Sequence, residues 1–336
     1  MKFPNRYSIL QKNLFQKGDY KIVPIRFEDR LEIMKWRNAQ LYHLRQEKPL
    51  TEADQNTYFE NVVYKLFNQS NPAQLLFSYL EKDSCIGYGG LVHINWRDKN
   101  AEISFIVDPS LEKDYFEKHW GTFLSLLEDV AFDELGLHKI YTYAFDLRPH
   151  LYKAVEKAGY IKEAELKEHF LRNSEYESVV IHSKINPYGI RTITSEDMEL
   201  VFEWSNDELT RVNSFQQEPI SFEAHCKWSN ARLKDKYKHS FICSFHTEPA
   251  AFIRVDQQED HAIIGINIAP KFRGKGLSYL FLKKAHQKIS DLTPNIKIRA
   301  LIKHHNIPSI KSFERAGYTL IGNTVVEGIK TLIYQL

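Results

Sequence analysis

Apolar and polar positions alternate in some short segments of the chain and recur at helical spacing in others. The stretches KIYTYAF (139–145) and AIIGINIAP (262–270) show the period-two alternation that predicts β-strands. After the second stretch, apolar residues recur at the spacing of one buried helix face: Leu277, Leu280, Phe281 and Ala285. The pattern predicts strands and amphipathic helices in succession.

The same succession of elements occurs twice, in residues 25–160 and again in residues 190–318. Each copy opens on a Trp-x-Asn pattern and closes on a helical pattern that ends in Ala-Gly-Tyr. The matching opening residues are Trp36 with Asn38 and Trp204 with Asn206. A repeat of this length indicates two copies of one domain.

The chain has 336 residues, more than one hydrophobic core usually serves. The stretch SKINPYG (183–189) is the Pro- and Gly-containing junction between the copies. We therefore predict two domains, at residues 1–186 and 187–336.

The charge balance argues against nucleic acid or an anionic membrane as a partner, so any polyanionic ligand must be bound by local charges. Lys and Arg total 45 against 43 Asp and Glu, which leaves no domain-wide field to hold nucleic acid or an anionic membrane.

The cysteines (Cys85, Cys226 and Cys243) share no metal-ligand spacing, so we expect reduced thiols and no metal site. No apolar run reaches the ~18 residues of a membrane span, and the first residues lack an apolar signal segment. We expect a cytoplasmic protein.

The most informative segment is INIAPKFRGKGLSYLFLKKA (266–285), where the loop RGKG joins a strand pattern to a helix pattern. Gly274 and Gly276 let backbone amides at the helix start approach a diphosphate closely, and Arg273 and Lys275 add favourable charge. The segment predicts a local anion site. Taken alone, RGKG is also typical of an ordinary basic turn.

PKFRGKGLS resembles the R/Q-x-x-G-x-G/A acyl-CoA pyrophosphate loop of the GNAT superfamily of N-acyltransferases. NIPSIKSFERAGY (306–318) resembles the closing N-x-x-S helix of the same superfamily. The resemblance implies an α/β fold of two tandem GNAT-like domains, each a splayed mixed β-sheet flanked by helices. It implies acyl-CoA as co-substrate without a metal, held in the second domain by Ile266, Ile268, Arg273, Gly274, Lys275, Gly276, Leu277, Ser278 and Asn306.

The implied chemistry is direct attack of a neutral amine on the thioester carbonyl, with backbone N–H groups near Ile268 stabilising the oxyanion. By resemblance, Asn306 also faces the thioester region and Ser309 lies near the departing thiolate. Many relatives have a tyrosine general acid where this chain has Phe313. We predict that Ser309 replaces it.

A base must accept the amine proton, directly or through water, and histidine suits this role near neutral pH. The candidate bases are His225, Glu218, Asp256, His304 and His305. We prefer His225 because of the segment in which it lies.

That segment, WSNDELTRVNSFQQEPISFEAHCKW (204–228), resembles the acceptor-side opening of GNAT enzymes that acylate amino-sugar nucleotides. Aromatic faces can stack on a base or sugar, amide and carboxylate groups can bind hydroxyls, and arginine can grip phosphate. The resemblance implies acceptor binding by Trp204, Asn206, Asp207, Arg211, Ser214 and Phe215. An amphipathic helix pair with its tryptophans in the core is the alternative.

The first copy lacks both motifs. Its counterpart of the phosphate loop has no RGxG and carries Glu112, Asp114 and Glu117, which would repel a pyrophosphate. Arg148 stands in place of Asn306 and Leu151 in place of Ser309. We interpret residues 1–186 as a degenerate GNAT-like domain with a structural or substrate-completing role.

The whole-chain resemblance is to tandem amino-sugar-nucleotide N-acyltransferases. It implies transfer of an acetyl or 3-hydroxybutanoyl group to the amine of a nucleotide-linked amino-deoxy sugar, such as a dTDP-3-amino-3,6-dideoxyhexose, for lipopolysaccharide or capsule biosynthesis. The expected partner is a nucleotide sugar, not nucleic acid or a membrane. The sequence leaves the oligomeric state open, with a homodimer as one possibility. A ribosomal-protein-type N-terminal acetyltransferase and a non-catalytic acyl-CoA-binding scaffold are the alternatives.

Overall fold

The computed structural model describes residues 3–336, so the first two residues of the predicted first domain lie outside the described part. The chain divides into two compact units between Asn186 and Pro187. No helix in residues 3–336 combines the length and apolar character needed to cross a membrane.

The first unit, residues 3–186, is built on an eight-stranded sheet with the spatial order β1-β2-β3-β4-β5-β6-β8-β7. Its strands are β1 (Phe15–Lys17), β2 (Tyr20–Pro24), β3 (Leu75–Glu81), β4 (Ser84–Asn95), β5 (Asn100–Val107), β6 (Lys139–Phe145), β7 (Ile161–Arg172) and β8 (Glu175–Ile185). Its helices are α1 (Arg30–Ala39), α2 (Glu52–Tyr58), α3 (Tyr64–Leu66), α4 (Pro109–Glu128) and α5 (Pro149–Lys157).

The second unit, residues 187–336, is built on a seven-stranded sheet with the order β14-β15-β13-β12-β11-β10-β9. Its strands are β9 (Tyr188–Thr192), β10 (Lys238–Phe245), β11 (Glu248–Gln257), β12 (His261–Ile268), β13 (Lys297–Lys303), β14 (Thr319–Val326) and β15 (Ile329–Gln335). Its helices are α6 (Met198–Asn206), α7 (Glu208–Asn213), α8 (Phe222–Lys234), α9 (Ser278–Leu292) and α10 (Ile307–Arg315).

Each sheet is antiparallel except at one parallel pair, and that pair separates soon after it begins. In the second unit, β12 pairs with β13 only where residues 261–263 face residues 297–299, although the strands continue to Ile268 and Lys303. In the first unit, β5 pairs with β6 only over residues 100–102. Both units are therefore splayed mixed sheets flanked by helices, which confirms the predicted fold class.

Helices cover the second sheet according to the apolar pattern of the sequence. The predicted helix after the phosphate loop is α9, and its Leu280, Phe281 and Ala285 are buried in the core of this unit. On α8, the Trp228 ring meets the Phe252 ring of β11. Since side chains two residues apart on a strand share a face, this contact defines the face of β11 that α8 covers.

The Asn of each Trp-x-Asn opening fixes the loop that follows it. Asn206 accepts a hydrogen bond from Ile220 N at 2.8 Å and donates one to Ile220 O at 2.9 Å. Asn38 makes the same two bonds with Leu50, at 2.8 and 2.9 Å. The sequence repeat is thus also a repeat of local structure.

In the first unit, an acidic side chain stands at the start of α4, which follows β5 as α9 follows β12. Glu112, in the first turn of α4, accepts a 2.9 Å hydrogen bond from Arg148, whose side chain is only 8% exposed. Further along α4, Glu117 pairs with Lys157 of α5. Two of the three acidic residues that distinguish this copy, Glu112 and Glu117, are thus paired within the chain.

Candidate active site

A cleft of about 1110 Å³ lies in the second unit along the splay between β12 and β13. Most of the predicted site residues form its wall: Arg211, Ser214, Phe215, His225, Ile266, Ile268, Arg273, Gly274, Gly276, Leu277, Ser278, Asn306 and Ser309. The predicted donor and acceptor residues are therefore brought together in one space. The wall does not include Trp204, Asn206, Asp207 or Lys275.

These last four residues have other contacts. Trp204 is buried in the core, as the core alternative has it for this residue, and its carbonyl accepts a hydrogen bond from Asn267 at 2.8 Å. Trp228, the other tryptophan of that alternative, is 37% exposed and lines the cleft. The Asn206 side chain is occupied by the loop it fixes. The Lys275 ammonium lies 5.1 Å from the centre of the Phe272 ring. Asp207 is the N-cap of α7, where its side chain accepts a hydrogen bond from Thr210 N.

The loop between β12 and α9 exposes its backbone to the cleft. Gly274 and Gly276 have φ values of +73° and +70°, in the left-handed region that favours glycine. A Cβ at Gly274 would meet no atom within 4 Å, so the space above the backbone is open. The amides in the first turn of an α-helix have no intrahelical acceptors, and the helix dipole favours an anion there. The start of α9 is thus suited to a diphosphate.

Arg273 of this loop is anchored on the acceptor side of the cleft. Its Nη2 lies 2.6 Å from Asp207 Oδ2 and 3.0 Å from Thr210 Oγ1, while its Nε donates to Ile268 O at 3.1 Å. The Arg273 guanidinium holds the pKa of the Asp207 carboxyl below its usual range, and the Thr210 amide adds to this effect.

Arg254 is a cleft residue that the sequence analysis missed. It lies on β11 directly opposite Gly265 of β12, on the face that α8 covers. A Cβ at Gly265 would come within 3.1 Å of Arg254 Nε, so the absent side chain makes room for the arginine. The guanidinium makes no hydrogen bond or ion pair within residues 3–336, and the nearby Asp256 binds Arg232 at 2.6 Å.

Arg211 lies close to this unpaired charge. Its terminal nitrogens donate to Glu218 O at 3.2 Å and Ser214 Oγ at 2.9 Å, but its buried Nε has no partner. Burial lowers the pKa of Arg211, and the Arg254 charge lowers it further. Two arginines that repel each other in one cleft favour an anionic occupant.

Lys303, at the end of β13, adds a fourth cation to the cleft, and the sequence analysis missed it as it missed Arg254. Lys303 is 2% exposed, and its ammonium donates to Val212 O at 2.9 Å. Burial lowers the pKa of Lys303. Lys303 lines the cleft together with Arg211, Arg254 and Arg273. Among the described residues of the cleft wall, the acidic side chain is Glu327.

His225 of α8 is held by the backbone of α6 and by neighbouring aromatic rings. Its Nε2 lies 3.0 Å from Met198 O, and since a carbonyl only accepts, Nε2 carries the proton and Nδ1 is left as an acceptor. The His225 ring lies against Phe202 and Trp228. Burial lowers the pKa of His225, which keeps the ring neutral at physiological pH. A neutral imidazole with a free acceptor nitrogen is the form that a base requires.

The other candidate bases differ in their surroundings. Asp256 is engaged by Arg232, Glu218 and His304 are exposed and off the cleft wall, and His305 is exposed but lines the cleft. Of these residues, His305 shares the cleft with His225.

The start of α10 presents the closing motif to the cleft. Asn306 is its N-cap, with Oδ1 accepting from Ser309 N at 3.2 Å. The Ser309 hydroxyl makes no hydrogen bond within the described residues. Phe313 is buried beside it, and no tyrosine is among the described residues of the wall. Ser309 is therefore the hydroxyl of this motif that remains available as a proton donor.

Comparison with known families gives two matches. A model described as acetyltransferase (GNAT) domain matches residues 22–180, and a second model with the same description matches residues 189–319. Together the matched segments cover most of the chain.

Individual proteins match less of it. A spermidine N(1)-acetyltransferase from Vibrio cholerae serotype O1 is 31% identical over 94 residues, 28% of this chain and 53% of that protein, so the match spans about half of the relative's length. The crystal structure of spermidine N-acetyltransferase from Vibrio cholerae with CoA and spermine is 20% identical, covers 51% of this chain and 97% of that one, and gives a TM-score of 0.45. A domain from Methanocaldococcus jannaschii is 25% identical, with coverages of 44% and 97% and a TM-score of 0.40.

Proposed function

The chain belongs to the GNAT family of acetyltransferases, and from that premise we propose that its second domain acylates the amine of a nucleotide-linked amino-deoxy sugar. Membership confirms the predicted family and enzyme class, an acyl-CoA-dependent N-acyltransferase with acyl-CoA as co-substrate. The acyl group, acetyl or 3-hydroxybutanoyl, the acceptor, its place in lipopolysaccharide or capsule biosynthesis and a cytoplasmic location are parts of the proposal.

The observation that carries the acceptor assignment is the unpaired Arg254 guanidinium. Arginine forks onto phosphate through paired N–H groups and is the usual residue at such sites. Arg211, with its buried unpaired Nε, stands beside Arg254 in the same cleft. A diphosphate between sugar and nucleoside would relieve the repulsion between the two arginines. It would also leave the amine of the sugar free to reach the thioester.

The charge of the wall also argues against a polyamine acceptor, despite the similarity to a spermidine acetyltransferase. A polyamine carries several positive charges and needs carboxylates along its length. The described wall of the cleft carries four basic side chains, Arg211, Arg254, Arg273 and Lys303, against one acidic side chain, Glu327. Placing a polyamine there would bring like charges together, which is unfavourable.

The donor side would be formed by the start of α9 and the open edge of β12. Diphosphate would bind the backbone of Gly274 to Ser278, and β12 would offer backbone groups beyond Ile263, where β13 has separated from it. Acyl-CoA would thus lie along the splay, with its thioester near the start of α10.

In the proposed reaction, the neutral amine attacks the thioester carbonyl, a C–N bond forms, and the C–S bond breaks as the oxyanion collapses. Backbone N–H groups near Ile268 stabilise the oxyanion. Nδ1 of His225 accepts the amine proton, directly or through water. The Ser309 hydroxyl relays a proton to the departing thiolate and takes up a proton from water in exchange. The main contribution of the cleft is to hold the amine next to the thioester carbonyl in the orientation required for attack.

A mass-spectrometric screen tests the proposal. The chain is incubated with acetyl-CoA or 3-hydroxybutanoyl-CoA and with UDP- and dTDP-amino sugars, polyamines or ribosomal N-terminal peptides. We expect acylated product with amino-sugar nucleotides. Product with polyamines or peptides alone would overturn the acceptor assignment, and CoA binding without any product would favour a scaffold.

A further inference from the structure

The Arg273 guanidinium joins the phosphate loop to helix α7, which carries the acceptor residue Arg211. We infer that the Arg273–Asp207 pair couples the two substrate sites, so that acyl-CoA binding orders α7 and raises the affinity for the acceptor. This inference rests on the proposed function of the second domain.

The coupling begins at the first turn of α7. Arg273 reaches Asp207 and Thr210 through Nη2, whereas its Nη1 makes no hydrogen bond within the described residues. Asp207 in turn caps α7, accepting from Thr210 N at 3.1 Å. The same guanidinium can therefore hold Asp207 through one nitrogen and offer the other to the diphosphate of acyl-CoA.

The last turn of α7 is held by β13, the strand that precedes the start of α10 on the acyl-CoA side of the cleft. Lys303 donates to Val212 O from the end of β13, which leads into the Asn306 cap of α10. Arg211 lies between these two attachments. Apart from its neighbours in the chain, α7 is thus anchored by residues of the elements proposed to bind acyl-CoA.

The consequence is a reciprocal effect on affinity. A diphosphate bound at Nη1 would fix the Arg273 side chain, and through Asp207 it would fix the start of α7 and the position of Arg211. If acyl-CoA raises the affinity for the acceptor by some factor, the acceptor must raise the affinity for acyl-CoA by the same factor. Coupling of this kind is commonly about fivefold or more.

Hydrogen exchange tests the coupling without knowledge of the acceptor. We expect added CoA to slow the exchange of amides 208–213 in the unmodified chain. In Asp207→Asn, which keeps an N-cap but loses the charge, CoA should still bind and leave those amides unchanged. Glu208→Gln is the matched control, because it removes the exposed neighbouring carboxylate, which has no partner within the described residues.

Calorimetry supplies the second measurement, with dTDP as the acceptor probe. CoA should tighten dTDP binding about fivefold or more in the unmodified chain and in Glu208→Gln, but not in Asp207→Asn. Unchanged exchange of α7 on CoA binding, or full CoA-dependent protection in Asp207→Asn, would overturn the coupling. Absence of dTDP binding with the exchange response intact would overturn only the acceptor assignment.

Discussion

Arg254 and Gly265 face each other across β11 and β12, and the absence of a side chain on the glycine leaves room for the arginine in the cleft. A Cβ at Gly265 would stand 3.1 Å from Nε and 3.5 Å from Cγ of the arginine. The register of two strands thus places an unpaired positive charge beside Arg211. The proximity of Arg254 to Arg211 is the basis of the acceptor assignment.

Arg254→Gln should raise the acceptor KM at least about tenfold and leave the acyl-CoA KM nearly unchanged. The charged hydrogen bonds it removes are typically worth about 1.5 to 3 kcal/mol. Steady-state kinetics with the active amino-sugar nucleotide checks this. Arg299→Gln is the control, since Arg299 bonds Gln335 and is not on the cleft wall.

Gly265→Ala provides an internal check on the same prediction, because its methyl group would act by displacing Arg254. It should raise the acceptor KM in the unmodified chain but add little in an Arg254→Gln background. Additive effects of the two changes would mean that Gly265 matters for another reason.

Arg211→Ala and His225→Ala should differ in their kinetics. Losing Arg211 should mainly raise the acceptor KM, since phosphate binding is felt equally in the ground and transition states. Losing His225 should lower kcat about 10²-fold with little change in KM. A small loss of kcat would instead indicate that the amine loses its proton through water and that positioning dominates.

The pH dependence of kcat/KM should report His225. A base must be neutral to act, so activity falls as pH drops through its pKa, and burial puts the pKa of His225 below its ordinary 6.5. Rates measured from about pH 5 to about pH 8 should therefore show an acid limb below 6.5. If the limb persists in His225→Ala, another group, such as the amine of the acceptor, is titrating.

Gly276→Ala should weaken CoA binding about tenfold. Its φ of +70° costs an L-residue about 1 to 2 kcal/mol, so the loop would shift its amides away from the diphosphate. Calorimetric titration with CoA measures the effect. Gly322→Ala is the control, because that glycine lies on β14 with a φ outside the left-handed region and open space at its Cβ.

The chain should bind one CoA. In the first unit, Glu112 already occupies the first turn of α4 and is bound by Arg148. Glu112→Gln should lower the free energy of unfolding by about 1 to 3 kcal/mol, because a nearly buried arginine would lose its charged partner. Denaturant unfolding and CoA titration check the two parts, and a second CoA per chain would contradict the degenerate character of this domain.

The sequence by itself determined the features that are local. The loop RGKG and the N-x-x-S helix are contiguous motifs, so the phosphate loop and the start of α10 were found from residue types and spacing. Alternation and helical spacing predicted β6, β12 and α9. The internal repeat indicated two similar units, because repeated local patterns form repeated elements.

Only the tertiary structure decided which charges meet in the cleft. Arg254 faces Gly265 through strand register, Asp207 meets Arg273 across 66 positions of sequence, and Lys303 reaches α7 from the end of β13. Such contacts depend on how strands align and where helices pack, and a shift of one residue in register would turn Arg254 to the opposite face. That is why the residues that argue for an anionic acceptor were not visible in the sequence pattern.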